Sequence, residues 1–230
     1  MAAELEARSD GERAVQERRY LKSQLRHLGV PVPAIRKVAE SHWRRYPGAG
    51  PEAVLELAEE LWREPVHERR MCAVELLRLA AGELTTAHLA PLERMLRESR
   101  TWALVDNLSV HVAGPVTERH PATGAVLDRW AGDGDFWLRR SALLALLLPL
   151  RRGAGDFARF GRYADAMLDE REFFVRKAIG WVLRETAKQR PELVFTWLLP
   201  RIDRAAGLTL REAIKPLPEE LRQQLLAARF

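Results

Sequence analysis

The stretch "DFWLRRSALLALLLPL", residues 135–150, decides the fold. On a helical wheel at about 100° per residue it is apolar nearly all round beyond Arg139, Arg140 and Ser141, the pattern of a helix buried between neighbouring helices. Outward from it, almost every segment places apolar residues at three- and four-residue spacing, and β-branched alternation bounded by turn residues is scarce. Punctuation agrees. Gly29 follows "YLKSQLRHL" as a helix stop, Pro33, Pro51, Pro65 and Pro191 stand where a helix can begin, and "YPGAGP" separates two helices.

The reading is an all-α chain of twelve short helices, at about 10–28, 33–45, 51–63, 65–82, 86–98, 101–113, 121–131, 135–150, 156–168, 172–189, 191–203 and 209–228. Helix starts near Pro65, Thr101, Asp135 and Glu172 recur every 34 to 37 residues, each followed by a second helix. That is the length of a stacked helical hairpin. A curved α-solenoid is the favoured architecture, with function on its inner helices; a compact irregular bundle is the alternative. One domain spans 1–230, and residues 1–12 are either a first helix or a frayed tail.

Of the 230 residues 47% are hydrophobic and 30% charged, with a mean hydropathy of −0.27, enough to bury a sizeable core. The single cysteine, Cys72, excludes an internal disulfide framework and suits a reducing cytosol. No apolar run reaches membrane-spanning length and the N-terminus has no signal-peptide core, so the expectation is a cytoplasmic protein with no membrane partner, in the bacterial cytosol or nucleoid. The net charge of +5 and pI near 9.8 fit an acidic partner such as nucleic acid; genomic base bias toward Arg and Ala fits equally.

Three sets of polar residues ask for an explanation that the core does not provide. Arg140 falls among Phe136, Leu143, Leu144 and Leu147. A guanidinium there cannot shed its charge, so it finds an anion, either a structural carboxylate or a phosphate, or snorkels to water. In "EFFVRKAIGWVLRETAKQR" (172–190), Phe173, Lys177, Trp181, Arg184 and Lys188 share one face opposite Val175, Ala178, Ile179, Val182 and Thr186. A basic stripe with an interleaved Trp is either a solvated face or a nucleic-acid contact. In "SRTWALVDNL" (99–108), Asp106 lies one turn from Trp102, beyond the first helical turn, where the helix dipole no longer favours a carboxylate. It implies a specific partner, such as Arg140 one hairpin later, or a catalytic carboxylate facing a groove.

The absences narrow the chemistry. There is no G-x-x-x-x-G-K-[ST], G-x-G-x-x-G or H-E-x-x-H, and six scattered His with one Cys build no thiolate zinc site. No cofactor, nucleotide or metal is expected. Ser109 and His111 project from different helix faces and no nucleophile elbow is present, which discounts a Ser/His/Asp arrangement.

With "YLKSQLRHLGVPVPAIR" (20–36), "SRTWALVDNL", "FWLRRSALL", "EFFVRKAIGWVLRETAK" and "LREAIK" (210–215) in hand, the sequence resembles the AlkD-like family of DNA alkylation repair glycosylases, built from HEAT-like helical repeats. The resemblance covers roughly residues 20 to 215. By position it implies that the active-site aspartate is Asp106, its helix-mate tryptophan Trp102, the second active-site tryptophan Trp181 and the phosphate-contacting arginine Arg140. Lys177, Arg184 and Lys188 would hold phosphates as well, and Tyr20 is a further DNA contact or a buried packing residue. Thr101 stands where the family often has an aromatic, as does Leu25. The first departure concerns the wall around the lesion and the second packing.

The resemblance implies a monofunctional, monomeric hydrolase acting on duplex DNA that carries positively charged N3- or N7-alkylated purines. A carboxylate stabilises the positive charge growing on the deoxyribose and orients the attacking water, and the damaged base needs no dedicated pocket. Some relatives on this fold bind unusual DNA structures without excision, which is the alternative function. A protein-binding helical scaffold is a third.

Overall fold

The computed structural model describes residues 1–229. Among these the chain is all-α, with one isolated bridge between Arg26 and Val66 and no named strand. No helix is long and apolar enough to cross a membrane. Contacts group the chain into two compact units, Met1–Val116 and Thr117–Phe230.

The first unit holds α1 (Ala2–Glu6), α2 (Gly11–Leu21), α3 (Val32–Arg45), α4 (Pro51–Arg63), α5 (His67–Leu79), α6 (Leu89–Ser99) and α7 (Trp102–Leu108). A π turn over Ser109–Ala113 then leads into α8 (Gly114–Arg119). At the centre is α5, packed on α3, α4 and α7 and buried nearly all round. Leu5 of α1 is also buried, so of the two readings of the N-terminus the ordered helix holds for its first turns.

The second unit holds α9 (Gly124–Ala131), α10 (Phe136–Leu144), α11 (Leu147–Arg151), α12 (Phe157–Ala166), α13 (Phe173–Ala187), α14 (Pro191–Leu198), α15 (Gly207–Ala213) and α16 (Glu219–Ala227). Its centre is α13, packed on α10, α11, α14 and α15. The approach of α15 is close enough that a Cβ on Gly180 would meet the Glu212 Cβ at 2.8 Å and the Thr209 carbonyl at 3.0 Å; only glycine fits there without displacement.

The repeat read from the sequence shows in the bonds between hairpins. Within the first unit the Trp62 indole donates to Glu98, 36 residues on. Within the second, Arg151 reaches Glu185 over 34 residues, Tyr163 reaches Asp128 over 35 and Arg201 reaches Asp165 over 36. Equivalent positions of successive hairpins thus lie against one another, as stacking requires. Thr101, Asp135 and Glu172 are N-cap residues, and the helix expected near Pro65 is capped one residue later, at Val66.

Four expected helices differ in extent, among them the one at 101–113, which runs on through the π turn to Arg119. The one at 135–150 divides after Leu144, because Pro149 has no N–H for the Ala145 carbonyl and its ring crowds that residue. The last, at 209–228, divides around Pro216 and Pro218. The helix at 10–28 ends at Leu21, with Lys22 in the left-handed region (φ 48). Beyond it the chain leaves for long-range partners: Arg26 donates its N–H to the Pro65 carbonyl (3.0 Å) and accepts from His67 N–H (2.9 Å). Gly29 is therefore not a helix stop. Its φ of +81 lets the loop lie against Asp10, whose carbonyl oxygen would be 2.1 Å from an added Cβ.

Candidate functional site

In the first unit, α7 is anchored by one face. Leu104, Val105 and Leu108 are fully buried, each worth about 1.5–3 kcal/mol of transfer free energy. Trp102 and Asp106, a turn apart, stay partly exposed. Tyr20, at the end of α2, is 73% exposed, which excludes the buried packing role. Its ring meets Trp102 edge-on, with centroids 5.8 Å apart and planes at 82°, the favourable arrangement for two ring quadrupoles.

The neighbouring polar groups turn back onto the helix. Asn107 donates to the Ala103 carbonyl (2.8 Å) and the buried Ser109 hydroxyl to the Val105 carbonyl (2.6 Å), so Ser109 is no exposed nucleophile. The π turn starts at Ser109, three residues after Asp106; such bulges recur where a helix carries a functional group. Thr101, the N-cap, is buried with its hydroxyl lacking a hydrogen-bond partner. Leu25 is buried too, in keeping with a packing role.

In the second unit, Val175, Ala178, Ile179, Val182 and Thr186 of α13 are all buried. The opposite face bears Phe173 and Lys177, both exposed, then Trp181 and Arg184, partly exposed, and Lys188, exposed. The Lys177 ammonium lies 5.8 Å from the Phe173 ring centroid. Two carboxylates that the sequence reading passed over organise these cations. Glu185, only 4% exposed, takes Arg151 (3.0 Å), Lys188 (2.8 Å) and Arg184 (3.4 Å). Glu212, on α15, takes Arg184 and Lys215. Burial works to raise the Glu185 carboxyl, but Lys188, Arg151 and Arg184 hold it below its usual range. The Lys215 hydrogen bond is the main cause lowering Glu212, and burial opposes it. Arg151, Lys177, Arg184, Lys188 and Lys215 thus surround two carboxylates, leaving an excess of three positive charges. Glu212 and Lys215 lay within "LREAIK", whose i, i+3 pair was the available signal; Arg151 gave none.

Arg140 has the most enclosed setting. It is 2% exposed, donates to the Phe174 carbonyl at the start of α13 and lies 5.9 Å from the Phe174 ring centroid. Trp102, Asp106 and Tyr20 therefore form one group in the first unit. Arg140 and the α13 residues belong to the second. Among the described residues the one cluster with metal-ligand spacing is Glu17, His27 and Glu68.

A sequence model of the family described as DNA alkylation repair enzyme matches residues 1–217. Among curated proteins none matches the chain significantly. Similar solved structures include a predicted DNA alkylation repair enzyme from Enterococcus faecalis, 21% identical, with a TM-score of 0.81 over 92% of this chain and 98% of that one. AlkD2 from Streptococcus mutans is 17% identical, with a TM-score of 0.63 over 89% of this chain and 99% of that one. The protein smu.31 from Streptococcus mutans UA159 is 18% identical, with a TM-score of 0.62 over 81% and 93%.

Proposed function

The chain belongs to the family of DNA alkylation repair enzymes, and from that premise we propose that it is a DNA glycosylase releasing positively charged N3- and N7-alkylated purines from duplex DNA. The C1′–N bond breaks, its electron pair leaves with the base, which departs neutral, and a water oxygen takes its place on C1′. Little general-acid help is needed. The demand falls on the sugar, which turns cationic, and a fixed carboxylate answers it.

The observation that carries this reading is Asp106. It is a partly exposed carboxylate on a short, largely apolar helix, one turn from a tryptophan that an exposed tyrosine braces. At about 4 Å and an effective dielectric of about 20, its attraction for a developing cation is worth roughly 4 kcal/mol, or about a thousandfold in rate. Trp102 and Trp181 are proposed to offer ring faces to the same charge, roughly 0.5–2 kcal/mol each, with Tyr20 a further DNA contact.

Lys177, Arg184 and Lys188 are proposed to hold phosphates. Their carboxylate partners are each shared by two or three cations, so the cluster keeps its positive excess for a polyanion. Arg140 reaches a phosphate only by exchanging part of its present contacts, and its replacement is therefore felt in stability as well as in binding. The protein is proposed to act as a cytoplasmic monomer without a cofactor.

The test is to incubate purified protein with methylated duplex DNA and measure released 3-methyladenine and 7-methylguanine. Release that persists with chelator present supports the proposal. Tight binding to branched or bulged DNA without base release transfers the protein to the non-enzymatic binders. Little affinity for any DNA leaves a protein-binding scaffold.

A further inference from the structure

In the first unit three potential ligands from separate segments converge: Glu17 on α2, His27 in the loop after it and Glu68 in the first turn of α5. One oxygen or nitrogen of each lies within 4.8 Å of the other two. Glu68 is 0% exposed. Its oxygens accept the backbone N–H groups of Leu28 (2.9 Å) and Gly29 (2.7 Å), which fix the carboxylate's orientation. Among the described residues no cationic side chain stands within ion-pair distance of it.

His27 has the complementary deficit. Both of its ring nitrogens are sealed from solvent and neither has a hydrogen-bond partner. Its ring is stacked on that of the buried His67, with centroids 4.6 Å apart and planes at 9°. Burial disfavours the imidazolium, leaving a lone pair on the ring. Glu17 is partly sheltered and paired with Arg13 at 2.5 Å, but Arg13 lies at the surface and can swing away. A cavity of about 370 Å³, with Val15, Gln24 and His27 in its wall, opens beside His27. Arg18 and Arg26, also in that wall, are directed to the Ser23 carbonyl and to Glu6.

An uncompensated buried carboxylate, an unpaired imidazole and a second carboxylate within ligand distance call for a cation. We propose that Glu17, His27 and Glu68 bind a divalent transition-metal ion, zinc first among them, through one imidazole nitrogen and two carboxylate oxygens, with water completing the shell. The donor set decides the class. Mg²⁺ and Ca²⁺ take oxygen ligands, whereas a site containing imidazole suits zinc and its first-row neighbours. The two backbone amides on Glu68 act as the outer shell that aims a ligating carboxylate. The ion ties α2 and its following loop to α5. Tyr20 is three residues beyond Glu17, so the site also holds Tyr20 against Trp102. It is a structural site and supplies no group to the reacting atoms.

The full chain is stripped with chelator, dialysed and titrated with Zn²⁺ by calorimetry, then with Co²⁺ by visible absorption. One equivalent of Zn²⁺, a Co²⁺ ligand-field spectrum and a raised Tm are expected, with no competition from Mg²⁺ or Ca²⁺. Binding should weaken by at least about tenfold in His27→Gln and in Glu17→Gln. Glu68→Gln is avoided, because that side chain also holds the loop; unchanged circular dichroism of the other two variants keeps the comparison valid. Absence of saturable Zn²⁺ binding overturns the proposal, as does binding indifferent to both substitutions. Neither readout involves base release.

Discussion

Residues 1–116 contain 17 Lys and Arg against 17 Asp and Glu, whereas residues 117–230 contain 20 against 15, so the whole net charge of +5 belongs to the second unit. The first, electrically neutral, carries Asp106 and the Tyr20–Trp102 aromatic pair. Both units also place a buried Glu on their central helix between cations. In the first, Glu75 of α5 takes Arg36 (2.9 Å) and Arg78 (2.7 Å); in the second, Glu185 of α13 takes three. The same device thus anchors two stacks of helices, but only the second adds Lys177 and Lys215 around a further carboxylate. Under the proposed function the contrast is a division of labour: affinity for a polyanion would reside where the cations exceed their partners, and stabilisation of a cationic sugar in the unit without a net cation excess.

That division is open to attack by substitution. Asp106→Asn should keep the helix and duplex binding but lower 7-methylguanine release about a thousandfold, measured in single-turnover assays; wild-type rates remove the carboxylate from catalysis. Arg140→Ala should cost roughly 2–4 kcal/mol in denaturant unfolding, since a buried guanidinium leaves the Phe174 carbonyl without its donor. A phosphate contact would in addition reduce the salt slope of DNA binding by about one. An unchanged slope assigns Arg140 to structure alone.

Smaller effects sharpen the same contrast. Lys177→Ala with Lys188→Ala should reduce the salt slope by about two, with little change in excision at saturating DNA. If excision collapses instead, affinity and chemistry are not separable. Acid should weaken the second unit through Glu185 and Glu212. Both carboxyls are depressed in the folded protein, so their contribution is present above the unfolded value of 4.5 and drains away as pH falls through the lower folded values. Unfolding followed by Trp fluorescence across pH 3–5 checks this, with Glu185→Gln flattening the dependence. The mildest case is Thr101→Val, which removes an unpartnered buried hydroxyl and should be neutral or stabilising by up to about 1 kcal/mol, with excision unchanged.

Much of the fold was legible because it is local. Side-chain periodicity along α13 placed Val175, Ala178, Ile179, Val182 and Thr186 on its buried face, and the helix starts near Thr101, Asp135 and Glu172 were read from the same local pattern. Two breaks followed from prolines whose consequences a strict i−4 rule would have anticipated: Pro149 in one helix, Pro216 and Pro218 in another. The candidate site was legible only in part. Asp106, Trp102 and the α13 stripe stood out as residues that their own helices did not explain, whereas Arg151 looked like any surface arginine.

Sequence alone settled the helical class and which faces of α7 and α13 go inward, because those depend on residues within about four positions of one another, and it showed the hairpin period in the spacing of helix starts. Tertiary structure decided the rest. It ended α2 at Leu21 by giving Arg26 and Gly29 partners some forty residues away, enclosed Arg140 against Phe174, gathered five cations around two carboxylates, and set Glu17 and Glu68 beside His27. Each of these rests on a contact between segments far apart in the chain, and such a contact has no period for a sequence to display.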